Sequence, residues 1–352
     1  MTDAADPATT TETPAQPKRS AKKASAAARK DSPSLTAVDF LTVTEKAALA
    51  STRWMGRGDN NAADQAAVDA MRDAFSTLPI SGTVVIGEGQ KDEAPELYVG
   101  EVLGTGGWEC EIAVDPLEGT NLVARGDDGA MAICAIGSTG GIMPAPDIYM
   151  RKLCVGPTAR GRVDILAPIE ETLDTVARCY GRRMRDLTVI VLDRPRHEEL
   201  IEEIRSAGAR IRLIPDGDIA ASMSAAVRGT GDHIYVGTGG STEGVITAAV
   251  MECLGGEMQA QMWPRNDEDL AKMRAFGMDD DAERVLTTKD LAPDIKYVVA
   301  TGVTDGHLLK GVRYFADGAR THSIVMDLPG NTVRFVDTVH ILSKTLIREI
   351  RL

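Results

Sequence analysis

Five carboxylates and one hydroxyl stand where apolar runs turn polar, and these are the groups that could do chemistry. The run Glu111-Ile-Ala-Val-Asp-Pro-Leu-Glu-Gly-Thr-Asn121 places Asp115, Glu118 and Thr120 within one tight turn. A second run, Gly82-Thr-Val-Val-Ile-Gly-Glu-Gly-Gln90, sets Glu88 between two glycines, where little bulk hinders an approaching ion. Asp64 begins a helical pattern over residues 64–75, and Glu243 follows the glycine-rich turn after a third apolar run, His233–Val236. Acids gathered in one place repel unless cations neutralise them. Oxygen donors with no His or Cys among them point to Mg2+ or Mn2+ rather than zinc. Two such ions about 4 Å apart would bridge a phosphate, activate a water and stabilise the leaving oxygen. In that chemistry Thr120 aims the water, and the Gly119 and Thr120 amides hold a phosphate oxygen at a helix start. An acidic surface loop explains the 115–120 turn equally well when it is read alone; the second turn of the same form weighs against that.

The elements that must position these groups follow from the pattern. Ile112–Val114 reads as a buried strand, and Pro116, which has no N–H for a ladder, predicts its end there. Helices are expected from Leu35 to about Leu49 and over residues 64–75, with strands over 130–136, 152–156 and 163–166 and a helix from Ile169 to about Arg178. From Leu187 strands and helices alternate, which predicts a parallel α/β layer. Its strand ends carry a basic turn (Arg194-Pro195-Arg196-His197), an acidic one (Asp216-Gly217-Asp218) and the glycine-rich turn before Glu243, the layout of a ligand site. Arginine forks suit a phosphate that is held rather than cleaved, against the alternative of ion pairs with Glu198 or Glu199. The five histidines are dispersed, and His197 is the one in a basic turn. No P-loop, nucleophile elbow, zinc-protease or dinucleotide motif competes.

The chain has 352 residues, 43% of them hydrophobic, enough for two domains: a disordered tail over 1–34, a metal-binding α+β domain over 35–186 and an α/β domain over 187–352. A net charge of −13 argues against nucleic acid or an anionic membrane as partner, and 4% aromatic residues offer no stacking platform. No apolar run approaches the roughly 20 residues needed to span a bilayer. The five cysteines are scattered with no C-x-x-C pair, which fits a reducing cytoplasm without disulfides.

Taken together, Gly56-Arg-Gly-Asp59 with Asp64, Val85-Ile-Gly-Glu-Gly89 with Asp92-Glu-Ala-Pro95, Ala113-Val-Asp-Pro-Leu-Glu-Gly-Thr120, Arg194-Pro-Arg-His197, Ile214-Pro-Asp-Gly-Asp218, Gly239-Gly240 with Glu243-Gly244, and Ala300-Thr-Gly-Val-Thr-Asp-Gly306 resemble the bacterial class II fructose-1,6-bisphosphatases. The resemblance runs in order from about Leu35 to the C-terminus. It implies an α/β sugar-phosphatase fold layered α-β-α-β-α and related to the inositol monophosphatases. It implies hydrolysis of the 1-phosphate of D-fructose 1,6-bisphosphate in gluconeogenesis, with Mn2+ or Mg2+, by a cytoplasmic dimer or tetramer. By the same resemblance Asp64 and Glu88 hold one metal, and Asp115, Glu118 and Glu243 another. Asp115 and Glu88 join Thr120 as catalytic groups, with Thr120 assisting the attacking water. Sugar contacts come from Glu118, Gly119, Thr120, Tyr149, Arg194, Pro195, Arg196, Asp216, Gly217, Asp218 and Gly240. Asn60 departs from the family pattern, which often has a basic residue there. The Asp64–Val68 stretch resembles relatives that also cleave sedoheptulose 1,7-bisphosphate, which leaves that second substrate open. The alternatives are an inositol- or nucleotide-phosphate monophosphatase and a non-catalytic sugar-phosphate sensor.

Overall fold

A short 3-10 turn (Ala37–Phe40) leads into α1 (Leu41–Ser51), and a computed structural model describes the chain over residues 35–89, 96–278 and 282–341. The expected tail at 1–34 and the Asp92–Pro95 motif lie outside the described residues. The next helix, α2 (Asn60–Phe75), starts before Asp64: Asp59 is its extended N-cap and accepts the Ala62 N–H at 2.9 Å. The cap satisfies one orphan amide of the first turn, and Asp64 faces the cleft from the second.

The strands β1 (Ile80–Ile86), β2 (Val102–Leu103) and β3 (Trp108–Glu118) follow, then α3 (Thr120–Arg125) and β4 (Met131–Ser138). Contrary to the expectation from Pro116, β3 does not stop there but runs to Glu118. Its register with β4 slips between Asp115 and Glu118, so the proline falls at a bulge where no ladder N–H is called for. A one-residue change of alternation also decides which side chains turn to the cleft.

The chain then builds a second sheet: β5 (Tyr149–Val155), α4 (Ile169–Tyr180), β6 (Thr188–Leu192), α5 (Glu198–Ser206), β7 (Arg210–Ile214), α6 (Asp218–Ala226), β8 (Ile234–Gly240), α7 (Ser241–Leu254) and β9 (Glu257–Trp263). Residues 163–166 are not a strand. Asp164 accepts the Leu166 N–H in a local turn, and the Gln259 side chain takes up Ile165 N–H and Val163 C=O, so this backbone is satisfied without a ladder. After α8 (Asp267–Ala275), β10 (Leu286–Thr287) and α9 (Thr288–Leu291), the chain returns to the first sheet with β11 (Ile295–Gly302), β12 (Arg313–Phe315), β13 (Gly318–Asp327) and β14 (Thr332–Ile341).

Among the described residues the first sheet has the order β12-β13-β11-β4-β3-β1-β2, with β14 paired to β13, and the second the order β10-β9-β5-β8-β6-β7. The expected parallel layer is present in part: β6 pairs parallel with β7 and β8, while β5 runs antiparallel to both β8 and β9. Three apolar cores separate the layers. Phe40 of the 3-10 turn, Val43 of α1, and Met71 and Phe75 of α2 pack on one face of the first sheet. Ile219, Met223, Val245 and Met251 of α6 and α7 fill the space between the sheets. Leu173, Val176, Ile201 and Ile204 of α4 and α5 cover the outer face of the second. The result is a mixed α/β architecture in which β3, α2 and the first turns of α6 and α7 converge.

Candidate active site

All five predicted carboxylates line one cleft of about 370 Å³, together with Gly119, Thr120 and Asp216. Asp64 comes from the second turn of α2, Glu88 from the end of β1, Asp115 and Glu118 from the bulged end of β3, and Glu243 from the first turn of α7. Gly119 holds the turn together: it caps α3 in the left-handed region at φ 86°, which a side chain would strain, and a Cβ there would press into Leu122. Thr120, the first residue of α3, directs its hydroxyl to the Leu117 carbonyl at 3.0 Å, with Asp64 Oδ1 at 3.4 Å as second acceptor.

The electrostatics are those of acids forced together. Burial pushes Glu88 up to about 8, with Asp64 and Glu243 adding repulsion. Burial likewise pushes Glu118 up to about 8, with Asp218 and Glu243 adding to it. Asp115 is held well above the usual carboxylate range by burial and then by Glu118 and Glu88. Asp64 and Glu243 are raised too, first by burial; the Thr120 hydroxyl opposes the rise at Asp64 and Lys152 opposes it at Glu243. Among the described residues no three His, Cys, Asp or Glu groups close into a finished ligand cage. What is present is a ring of oxygen donors around an open cleft.

The remaining predicted residues form a second cluster beside the first. Tyr149 opens β5 opposite Gly240 on one side and Trp263 on the other. Arg196 stands over the Tyr149 ring, 4.8 Å from its centroid, and donates from Nε and Nη2 to the Thr238 carbonyl at 3.0 and 2.7 Å. Pro195 starts the 3-10 turn that carries it, and Arg194 lies 3.8 Å from Asp216. Asp216 and Gly217 face a neighbouring hollow next to the Asp305–Leu309 loop, with Asp216 shared between that hollow and the acid cleft. Asp218 is different: its carboxylate is buried and paired with Lys152 Nζ at 2.7 Å. His197 is a structural residue, with Nδ1 at 2.8 Å from the Leu192 carbonyl and Nε2 accepting the Thr238 N–H at 2.8 Å; burial holds it below the usual histidine range.

Sequence reasoning missed three participants. Arg265 stands over the same Tyr149 ring at 4.3 Å and is anchored by Asp269 at 2.9 Å. Asp147 lines the acid cleft. Lys152 lies within an ordinary-looking strand. An Asn266-capped helix with an (i, i+4) Arg265–Asp269 pair was readable as local structure, but nothing local tied it to Tyr149.

The cleft thus sets five carboxylates beside a tyrosine flanked by two arginines. The family model for "Bacterial fructose-1,6-bisphosphatase, glpX-encoded" matches residues 34–340. The chain belongs to this family. It is 44% identical over 330 residues to a protein of Crocosphaera subtropica named D-fructose 1,6-bisphosphatase class 2/sedoheptulose 1,7-bisphosphatase, covering 86% of this chain and 95% of that one. Proteins with the same name are similar at 45% over 329 residues in Synechococcus sp. (strain JA-2-3B'a(2-13)), with 86% and 94% covered, and at 43% over 340 residues in Microcystis aeruginosa, with 89% and 98% covered. The chain is accordingly a phosphatase of the bacterial fructose-1,6-bisphosphatase family, which is metal-dependent. The donor set fits that dependence: its members are carboxylate oxygens without sulfur or imidazole, and their mutual repulsion is what a divalent cation relieves. Among the described residues no helix is long and apolar enough to cross a membrane.

Proposed function

We propose that the chain hydrolyses the 1-phosphate of D-fructose 1,6-bisphosphate to fructose 6-phosphate and phosphate in gluconeogenesis, and that sedoheptulose 1,7-bisphosphate is a second substrate. The observation that carries this reading is the convergence of five carboxylates and Thr120 on one cleft, beside a cluster of guanidinium groups around Tyr149. The first cluster suits the phosphate that is cleaved, and the second suits the one that is kept. The relatives named for both sugars support the second substrate.

Asp64 and Glu88 would hold one cation, and Asp115, Glu118 and Glu243 another; Mn2+ or Mg2+ suits these hard oxygen donors. When bound, such ions supply charge for the phosphate oxygens and lower the pKa of water. The chain's own residues do the positioning. The Thr120 hydroxyl sends its proton to Leu117 or Asp64, which leaves its lone pairs to accept from a water and aim it at phosphorus. The Gly119 and Thr120 amides at the start of α3 would suit a phosphate oxygen. Arg194, Pro195, Arg196, Tyr149, Gly240 and the Asp216–Gly217 turn would bind the rest of the sugar. A monophosphatase would not need this basic cluster, and a sensor would not need a hydroxyl to aim water.

The layer arrangement supports a sugar-phosphatase fold related to the inositol monophosphatases. A soluble sugar bisphosphate as substrate suits a cytoplasmic enzyme, and we extend the reading to a dimer or tetramer. The test is phosphate release from each bisphosphate with Mn2+, Mg2+ or EDTA. Release with a cation and none with EDTA is expected; no release from either sugar with any cation would sink the reading.

A further inference from the structure

Behind the acid cleft, outside its lining, lies a complete ion pair. Lys152 projects from β5 with its side chain fully out of solvent, and its Nζ lies 2.7 Å from Asp218 Oδ2. The Tyr235 hydroxyl donates to the same oxygen at 3.2 Å. Taking two charges out of water costs several kcal/mol per ion, so a pair of this kind is a poor choice for stability alone. Its neighbours suggest what it does instead. Asp218 is the first residue of α6, and the very next amide, Ile219 N–H, donates to Glu118 Oε1 at 3.1 Å. On the other side the pair lies under the turn that leads to Glu243: a Cβ on Gly239 would run into the Asp218 carboxylate and come within 3.2 Å of Lys152 Nζ, and one on Gly244 would come within 3.3 Å of Lys152 Cε.

We infer that Lys152 and Asp218 are positioning residues, which fix the first turn of α6 and the β8–α7 turn so that Glu118 and Glu243 face one another across the cleft. The inference rests on the bisphosphatase reading above and assigns Asp218 a role without contact to sugar. The pair acts through two elements at once. Asp218 pins the α6 start that delivers an N–H to Glu118, and Lys152 fills the space beneath the turn that delivers Glu243. Tyr235 closes the network, leaving the shared oxygen with two donors. Gly239 and Gly244 have no side chain at the two points where the pair needs room.

The test uses Lys152→Met and Asp218→Asn in the full chain, read by calorimetric titration with Mn2+ alone and by steady-state kinetics on fructose 1,6-bisphosphate. Outer partners of ligating groups typically alter metal affinity by about 10- to 100-fold. Both variants are expected to weaken Mn2+ binding by at least about tenfold and to lower kcat at saturating Mn2+, with KM for the sugar within about twofold of the parent. A raised KM in Asp218→Asn with unchanged Mn2+ binding would place Asp218 on the sugar and overturn the inference. A lower melting temperature with unchanged Mn2+ binding and kcat would reduce the pair to scaffolding and overturn it too. Should Lys152→Met fail to fold, the double variant Lys152→Met/Asp218→Leu removes both charges and leaves no unpaired carboxylate; it is expected to fold and to show the same weakened Mn2+ binding, and parental binding in it would refute the role. If the parent chain releases no phosphate, the bisphosphatase reading alone fails, because the Mn2+ titration reads the pair without turnover.

Discussion

The side-chain amide of Asn60 donates to Asn121 Oδ1 at 2.6 Å, tying the first residue of α2 to the residue after Thr120. The chain thus has a neutral link between the helix that carries Asp64 and the turn that carries Thr120. Asn60→Ala is expected to lower kcat by about fivefold, the value of one net hydrogen bond of about 1 kcal/mol, with Mn2+ affinity unchanged. An unaltered kcat would mean that the two elements hold their places without the link.

Thr120 has no side-chain substitute on its turn. Thr120→Ala is expected to lower kcat by roughly 10² with little change in KM, while Thr120→Ser keeps the hydroxyl and most of the rate. Equal kcat in the alanine variant and the parent would remove Thr120 from the chemistry.

Without cations the acid cleft makes stability depend on pH in an unusual sense. Glu88 and Glu118 are pushed from 4.5 up to about 8, so the folded chain keeps protons that the unfolded chain releases. Their contribution is fully present below about pH 4.5 and is lost as pH rises through about 8, the reverse of an ion-paired carboxylate. In EDTA the melting temperature should fall between about pH 5.5 and about pH 8.5, and saturating Mn2+ should raise it more at the higher pH. A metal-induced gain that is larger at the lower pH would contradict the burial of these two acids.

Two guanidinium groups over one phenol ring form a clamp whose outer member was not apparent from spacing. Arg196→Ala is expected to raise KM for fructose 1,6-bisphosphate by about tenfold or more, since charge-assisted hydrogen bonds contribute about 1.5–3 kcal/mol, and to leave hydrolysis of a sugar monophosphate almost unchanged. Arg265→Ala should act in the same direction more weakly, because Asp269 already neutralises part of its charge. Comparable losses on mono- and bisphosphates would point away from a distal phosphate at this cluster.

The chemistry of the site was legible because it lies in short runs. Asp115, Glu118 and Thr120 share one turn, and Glu88 and Glu243 sit beside glycines at strand ends, so local patterning alone brings them to the edge of a sheet. The errors came where a distant partner decides. Gln259 satisfies the 163–165 backbone that alternation makes look like a strand, and nothing in the 152–156 run signals that Lys152 pairs with Asp218. Pro116 reads as a strand end because the bulge opposite β4 cannot be seen from one strand. Asp59 rather than Asp64 caps α2, a choice between two acids of equal intrinsic preference that the Gly58 turn settles.

β11 is laid between β4 and β13, so β4, paired on one side with the acid-bearing β3, finds its second neighbour in residues 295–302. During synthesis the ribosome therefore releases the acid-bearing strands long before the strand that seals them, and β4 waits with an open edge while the whole second sheet is made. A chain cut short before residue 295 would carry every carboxylate of the cleft and still present a sticky seam to other chains. Nascent chains of this protein should thus lean on chaperones late in translation, and premature termination should yield aggregates rather than a weak enzyme.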